Sequence, residues 1–157
     1  MTMFNKILVA IDFSKYSNLV SENAMMLAKE LKAELIFVNV LNQEQVTLIQ
    51  QTMDKLNLDK ERFSMEDYIE EMIDERKADM QSLIKQMNLH EIPYSFKIYK
   101  GVPYKELLAA ISEHKVNLVV MGVKGKSDLK DVIVGSTAIK MFRRCPVPLV
   151  SIREPEK

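Results

Sequence analysis

The chain has 157 residues, a length suited to one domain with a single core, and that domain is expected to span residues 1–157. Its 22 Lys and Arg balance 22 Asp and Glu, which excludes a general electrostatic grip on nucleic acid, since that needs a large basic excess. With 47% hydrophobic and 28% charged residues, the composition is that of an ordered globular domain and not of a disordered tail.

Residues 5–11 open the chain with an aliphatic, β-branched run, the pattern of a strand buried on both faces of a parallel sheet. The run is too short for a signal-peptide core or a membrane span, and the expected compartment is the cytoplasm. Similar runs at Glu34–Leu41, Tyr94–Lys100, Asn117–Gly122 and Pro148–Ile152 predict four more strands. After Asp12, Ser14 or Ser17 is placed to cap a helix whose apolar stripe is Val20, Ala24, Leu27, Ala28 and Leu31. Residues 42–65 are too long for a simple connection. Val46, Ile49, Met53 and Leu56 keep helical spacing there, so the segment reads as an extra helix, a lid or a partner surface. A long helix follows from about Met65 to Leu89, with Ile69, Met72, Ile73, Met80, Leu83, Ile84 and Met87 on one face. Gly101 closes the third strand, Pro103 suits a first helical turn, and Tyr104, Leu107, Leu108 and Ile111 form the inner face of the next helix. The last helix is expected to start near Gly135-Ser136 and to run to about Arg144. Strands alternating with helices imply a parallel sheet with right-handed crossovers and helices on both faces, without fixing the strand order.

Glycine is scarce. Only 4 occur, and three of them, Gly122, Gly125 and Gly135, fall within fourteen residues. Gly122 and Gly125 would sit at the carboxyl end of the fourth strand, where glycine permits positive φ and close approach of a ligand to the backbone. Gly135-Ser136 would open the final helix, whose free N–H groups and dipole favour an anion. Lys124, Lys126 and Lys130 add positive charge; residues 120–144 hold six basic and two acidic side chains, against three basic and eight acidic in 61–80. On spacing alone, turn chemistry explains the glycines as well as a phosphate site does. Two commoner phosphate motifs are excluded. A Walker A loop ending in Gly125-Lys126-Ser127 needs a glycine where Val120 stands, and the first strand runs into Asp12-Phe13-Ser14 with no glycine for a dinucleotide fingerprint.

Ile7-Leu8-Val9-Ala10-Ile11-Asp12-Phe13-Ser14, Val38-Asn39-Val40, Gly101-Val102-Pro103, Met121 to Lys126, Val134 to Thr137 and Pro146 to Val150 together closely resemble the universal stress protein family. The resemblance runs from about residue 4 to 153, apart from the variable 42–65 segment. Its most specific element is G-x2-G-x9-G-[ST], the mark of the family's ATP-binding branch, satisfied by Gly122, Gly125, Gly135 and Ser136. The resemblance implies an adenine nucleotide alpha hydrolase-like α/β fold: a five-stranded parallel sheet of order 3-2-1-4-5 with helices on both faces. Ligands in such sheets bind at the carboxyl ends beside the reversal of strand order, here between the first and fourth strands.

Carried over residue by residue, the resemblance implies that Ala10 and Asp12 line the adenosine end, with Asp12 near the ribose or a metal. Val40 would offer backbone hydrogen bonds to adenine. Met121, Gly122, Lys124 and Gly125 would flank ribose and phosphates, and Gly135, Ser136 and Thr137 would hold phosphates at the helix start. Ala138 departs from relatives that carry a hydroxyl there. The implied cofactor is ATP with Mg2+ or Mn2+, and the implied partner is a second copy joined through the last strand, about Val147–Ile152.

For the residues nearest the candidate site, a bland role stands beside the functional one. Asp12 also suits strand termination and capping, Ser136 an N-cap, and Lys124 and Lys126 a solvated loop. His90 and His114 read as cations at helix C-termini, and Cys145 as a small buried hydrophobe beside Pro146. The 11 methionines read as core filler on inward helical faces. No glutamate or histidine can be placed as a base for an attacking water, so ATP hydrolysis is expected to be slow at most. The alternative to an ATP-binding stress-response protein is a dimeric interaction module whose crevice is vestigial or empty.

Overall fold

The computed structural model describes residues 3–59, 61–125 and 134–155. Five aliphatic runs form the strands β1 (Lys6–Ala10), β2 (Glu34–Asn42), β3 (Tyr94–Gly101), β4 (Leu118–Gly122) and β5 (Leu149–Ile152). Between them lie α1 (Ser17–Leu31), α2 (Gln43–Lys55), α3 (Met65–Gln86), α4 (Pro103–His114) and α5 (Ser136–Arg144).

Every strand pairs in parallel, in the order β3-β2-β1-β4-β5. The order is the expected one. The first three strands build outward from β1 to one side, and the chain then crosses to lay β4 on the other. Register is pinned by burial on both faces, because a slip of one residue would exchange the two halves of the core. Ile7, Val9, Leu35, Phe37, Leu118 and Val120 point to one face, where Val20, Ala24 and Ala28 of α1 and Met80, Leu83 and Ile84 of α3 cover them. Leu8, Ile36, Val38, Val119 and Met121 point to the other, beneath Leu107, Ala110 and Ile111 of α4 and Ala138 and Met141 of α5. Each such Val, Leu, Ile, Phe or Met side chain contributes roughly 1.5–3 kcal/mol by leaving water.

Four local readings of the sequence need correction. No serine caps α1: its N-cap is Tyr16, without a side-chain cap, because Ser17 Oγ donates to Asp12 Oδ1 (3.4 Å) and Ser14 Oγ accepts from Tyr16 N (3.2 Å). α3 ends at Gln86 and not near Leu89, since Met87 turns extended and carries the chain toward buried Leu89. His90 therefore lies beyond the helix end, exposed, instead of on its last turn. Finally, methionine is a minor core component: among the described residues only Met80, Met121 and Met141 are buried, while Met3 and Met26 are exposed.

Residues 43–55 form a true helix, capped by the Asn42 side chain accepting from Glu44 N at 3.0 Å. Its apolar stripe is only partly used. Val46 is buried, Ile49 and Met53 are half-buried, and Leu56, just past the end, is 65% exposed. No helix among the described residues is long and apolar enough to cross a membrane.

Candidate functional site

Where the strand order reverses beside β1, the carboxyl ends of β1, β2 and β4 leave a crevice of about 290 Å3. This is the place that open parallel sheets offer to ligands. All ten residues singled out from the sequence border it: Ala10 and Asp12 after β1, Val40 on β2, Met121 and Gly122 on β4, Lys124 and Gly125 in the following loop, and Gly135, Ser136 and Thr137 at the start of α5. Lys126, Ser127 and Lys130 lie outside the described residues.

Asp12 is delivered by a sharp turn. Ile11 N still donates to Val38 O (2.8 Å), as in the strand, and Phe13 then takes φ 57°, a left-handed conformation that a bulky residue rarely adopts. Packing of the Phe13 ring against the α1–α3 side of the core holds that conformation. Asp12 is left exposed at the crevice, its Oδ1 accepting from Ser14 N (3.0 Å) and Ser17 Oγ (3.4 Å).

The glycine segment is closed on itself at the same place. Gly135 N donates to Val123 O at 2.7 Å, so the start of α5 is tied to the loop that leaves β4. Conformational freedom is not what these positions need. None of Gly122, Gly125 and Gly135 takes a positive φ, so the freedom glycine permits at Gly122 and Gly125 goes unused. What they need is space. A Cβ on Gly125 would stand 2.8 Å from Asp12 Oδ2, and one on Gly135 would stand 3.3 Å from Val123 O and 3.7 Å from Gly125 N. A Cβ on Gly122 would meet Lys124 O at 3.3 Å and Val20 of α1 at 3.4 Å, so a larger side chain there presses on packing as well as on the crevice.

α5 presents its N-terminus here. Its N-cap is Gly135, with no side-chain cap and no acidic residue in the first turn, so among the described residues no side chain satisfies its leading N–H groups. Ser136 and Thr137 are thus the first two helical residues, and the N-cap role open to Ser136 falls to Gly135. Arg143 and Arg144 sit in the last turn, where cations complement the dipole. Ala138 is buried in the cluster that includes Leu107 and Met141, so the position that departs from the family pattern is filled by packing.

Two residues of the crevice wall had no role in the sequence reading. Asn39, 2% exposed on β2, donates from Nδ2 to Ile11 O at 2.7 Å and accepts from Arg76 Nη1 at 2.8 Å. Arg76 comes from α3, and burial lowers its pKa while the charge of Asp79 raises it. A lone asparagine in an apolar strand was the available signal for the first, because a buried amide must find partners. Arg76 gave none, being one of three basic residues in the acidic stretch 61–80.

The remaining titratable candidates lie outside the crevice wall. Cys145 is half-buried, its Sγ donating to Val147 O (3.2 Å), and burial pushes the thiol pKa up. His114 ends α4 as expected and stands 2.8 Å from the Tyr99 hydroxyl. Among the described residues no group of three His, Cys, Asp or Glu is arranged to hold a metal ion, and Asp12 is the single carboxylate of the crevice wall.

A five-stranded parallel sheet with a crevice at the reversal of strand order, into which a helix N-terminus opens, defines a doubly wound α/β domain. The chain belongs to the universal stress protein family, whose pattern matches residues 3–153. It is 32% identical to the universal stress protein YxiE of Bacillus subtilis over 155 residues, 96% of this chain and 100% of that protein. The solved structure of MJ0577 of Methanocaldococcus jannaschii shares the fold with a TM-score of 0.79, at 19% identity, over 99% of both chains. A universal stress protein of Archaeoglobus fulgidus, solved in complex with dAMP, matches with a TM-score of 0.58 at 15% identity over 98% of this chain and 100% of that one.

Proposed function

We propose that the crevice binds an adenine nucleotide, ATP, and that the protein acts in the stress response through its nucleotide-bound state. One observation carries the reading. The loop after β4 and the start of α5 are tied by Gly135 N to Val123 O, so that glycine backbone and an uncapped helix N-terminus share one crevice with Asp12. Such N–H groups suit phosphate, and glycine lets it approach. The G-x2-G-x9-G-[ST] pattern of the ATP-binding branch and the dAMP complex of the Archaeoglobus fulgidus relative support the adenine nucleotide over other anions.

In this reading the nucleoside lies over β1 and β2, with Ala10 and Met121 against it, the Val40 backbone toward adenine and Asp12 toward the ribose. Gly122, Lys124, Gly125, Gly135, Ser136 and Thr137 receive the phosphates. A divalent cation, Mg2+ or Mn2+, fits the donor set when held mainly by phosphate oxygens with Asp12, the one carboxylate among the described crevice residues, which is the usual habit of Mg2+ at nucleotides; it would neutralise phosphate charge. Among the described crevice residues there is no histidine or glutamate to take a proton from water, so turnover is slow at most. The whole chain acts as one cytoplasmic domain. It pairs with a second copy through β5, the edge strand beside β4, whose Leu149, Val150 and Ile152 are only half-buried.

Calorimetry on protein freed of bound nucleotide tests the reading, with binding of ATP expected; no heat of binding at millimolar ATP overturns it. The half-exposed edge strand also favours a second reading, a dimeric regulatory module with an empty crevice. Mass spectrometry of gently purified protein separates the two, since only the first predicts retained adenine nucleotide.

A further inference from the structure

Arg76 is a half-buried guanidinium with little to do inside the protein. It lies in the most acidic part of the chain, yet among the described residues no carboxylate comes within 4.0 Å of it, and the neighbouring Asp74 pairs instead with Lys77 at 3.8 Å. Of its five N–H donors one is engaged among the described residues, Nη1 on Asn39 Oδ1 at 2.8 Å. Tying α3 to β2 needs only a neutral donor, so the charge is unexplained. Asp79, one turn further along α3, partly offsets the cost of its burial but makes no ion pair with it, so a partly desolvated cation keeps donors to spare.

The guanidinium is also held in place. Asn39 is 2% exposed and its own amide is anchored on Ile11 O at 2.7 Å, so the acceptor that orients Arg76 cannot drift. Arg76 borders the same crevice as the glycines, from the opposite side. α5 packs on one face of the sheet and α3 on the other. β2 stands two strands from β4, so at about 4.8 Å per strand the two strand ends are roughly 10 Å apart, and the two anion-binding points are further separated by lying on opposite faces. One phosphate cannot serve both.

We propose that Arg76 is a second anion-recognition point, which selects an adenine nucleotide carrying a phosphate on a ribose hydroxyl in addition to its 5′ phosphate. The inference rests on the nucleotide reading above and specifies its ligand. Guanidinium forks match phosphate oxygens geometrically, and here the fork is oriented before the ligand arrives.

The test is calorimetry of nucleotide-free protein with AMP, adenosine 2′,5′-bisphosphate and adenosine 3′,5′-bisphosphate, repeated with Arg76→Gln and Arg76→Lys. One bisphosphate is expected to bind wild type about tenfold or more tightly than AMP, as a charge-assisted contact implies. The isomer that gains identifies the hydroxyl. In Arg76→Gln the ratio of bisphosphate to AMP affinity falls to near one, and Arg76→Lys keeps part of it. Neither bisphosphate binding wild type more tightly than AMP overturns the proposal, and so does a preference that survives in both variants. Nucleotide binding without a bisphosphate preference removes only this inference, whereas failure of AMP and ATP alike removes the nucleotide reading with it.

Discussion

Gly125→Ala is the sharpest test of how the crevice is built. The added methyl would stand 2.8 Å from Asp12 Oδ2, where ordinary contact begins at 3.4 Å, so the carboxylate must retreat by about 0.6 Å. The other oxygen of the group, Oδ1, accepts from Ser14 N (3.0 Å) and Ser17 Oγ (3.4 Å), so moving the carboxylate strains these bonds, the second of which is already at the limit of a hydrogen bond. Asp12 is exposed, so the loss to the fold is one ordinary hydrogen bond or less, about 1 kcal/mol. Binding loses more. A displaced carboxylate forfeits a charge-assisted bond to the ligand, about 1.5–3 kcal/mol, and the dissociation constant for ATP rises at least about tenfold. Calorimetry gives the affinity and thermal unfolding the stability. A double-mutant cycle with Asp12→Ala decides the route: Gly125→Ala should add almost nothing in a protein that already lacks the carboxylate. Unchanged affinity in a folded Gly125→Ala protein, or full additivity in the cycle, would refute the reasoning.

Asn39→Ala leaves the Ile11 carbonyl and the Arg76 guanidinium short of a partner, and urea unfolding should show a loss of about 1–3 kcal/mol; a change within about 0.5 kcal/mol would mean the buried amide is dispensable. Burial, the hydrogen bond to Glu113 and the charges of Glu113 and Glu106 push the Tyr99 pKa from 10.0 up to about 12, so absorbance titration of wild type against Tyr99→Phe should reveal one phenol ionising near that value. Because the folded state holds that proton more tightly, its stabilising effect is complete below pH 10.0 and is lost as pH rises through about 12; wild type should lose stability relative to Tyr99→Phe across that window and not below it. With its pKa raised by burial, Cys145 should react with a disulfide reagent at pH 8 more slowly than a free thiol and reach the free rate in urea; faster native reaction would contradict the burial argument.

Much of this architecture can be read from residue types. The strands were legible because β1, β2 and β4 are buried on both faces, which leaves unbroken apolar runs. The start of α5 was legible from Gly135-Ser136, since both are residue types that N-cap positions accept. Strand order was not, because alternation of strand and helix is compatible with several orders; it came from likeness to a family. Helix α2 showed its period in Val46, Ile49 and Met53, but which of those side chains is buried depends on how far the helix leans on β2. The serine caps failed for a reason internal to the site, as Asp12 takes the hydroxyl of Ser17 and the N–H of Ser14. Arg76 was illegible because only the packing of α3 over β2 decides which basic residue of an acidic helix reaches the strand ends.

Glycine shows why a residue count needs geometry before it becomes chemistry. Elsewhere this chain does without glycine where helices commonly use it: α1 and α4 end on Lys32 and Lys115 in the left-handed conformation, at φ 54° in both, and Phe13 takes the same region beside Asp12. A chain that tolerates lysine and phenylalanine at positive φ has not placed three of its four glycines at the crevice for backbone freedom, and their ordinary φ values agree. What they share is that a Cβ would crowd a neighbour, namely Asp12 at Gly125, Val123 O at Gly135, and Lys124 O and Val20 at Gly122. The consequence is specific. Substitution at these positions should be felt first as lost room for ligand and for the Asp12 carboxylate, with backbone strain a minor part, which is why a single methyl at Gly125 is informative where a change of turn type would not be.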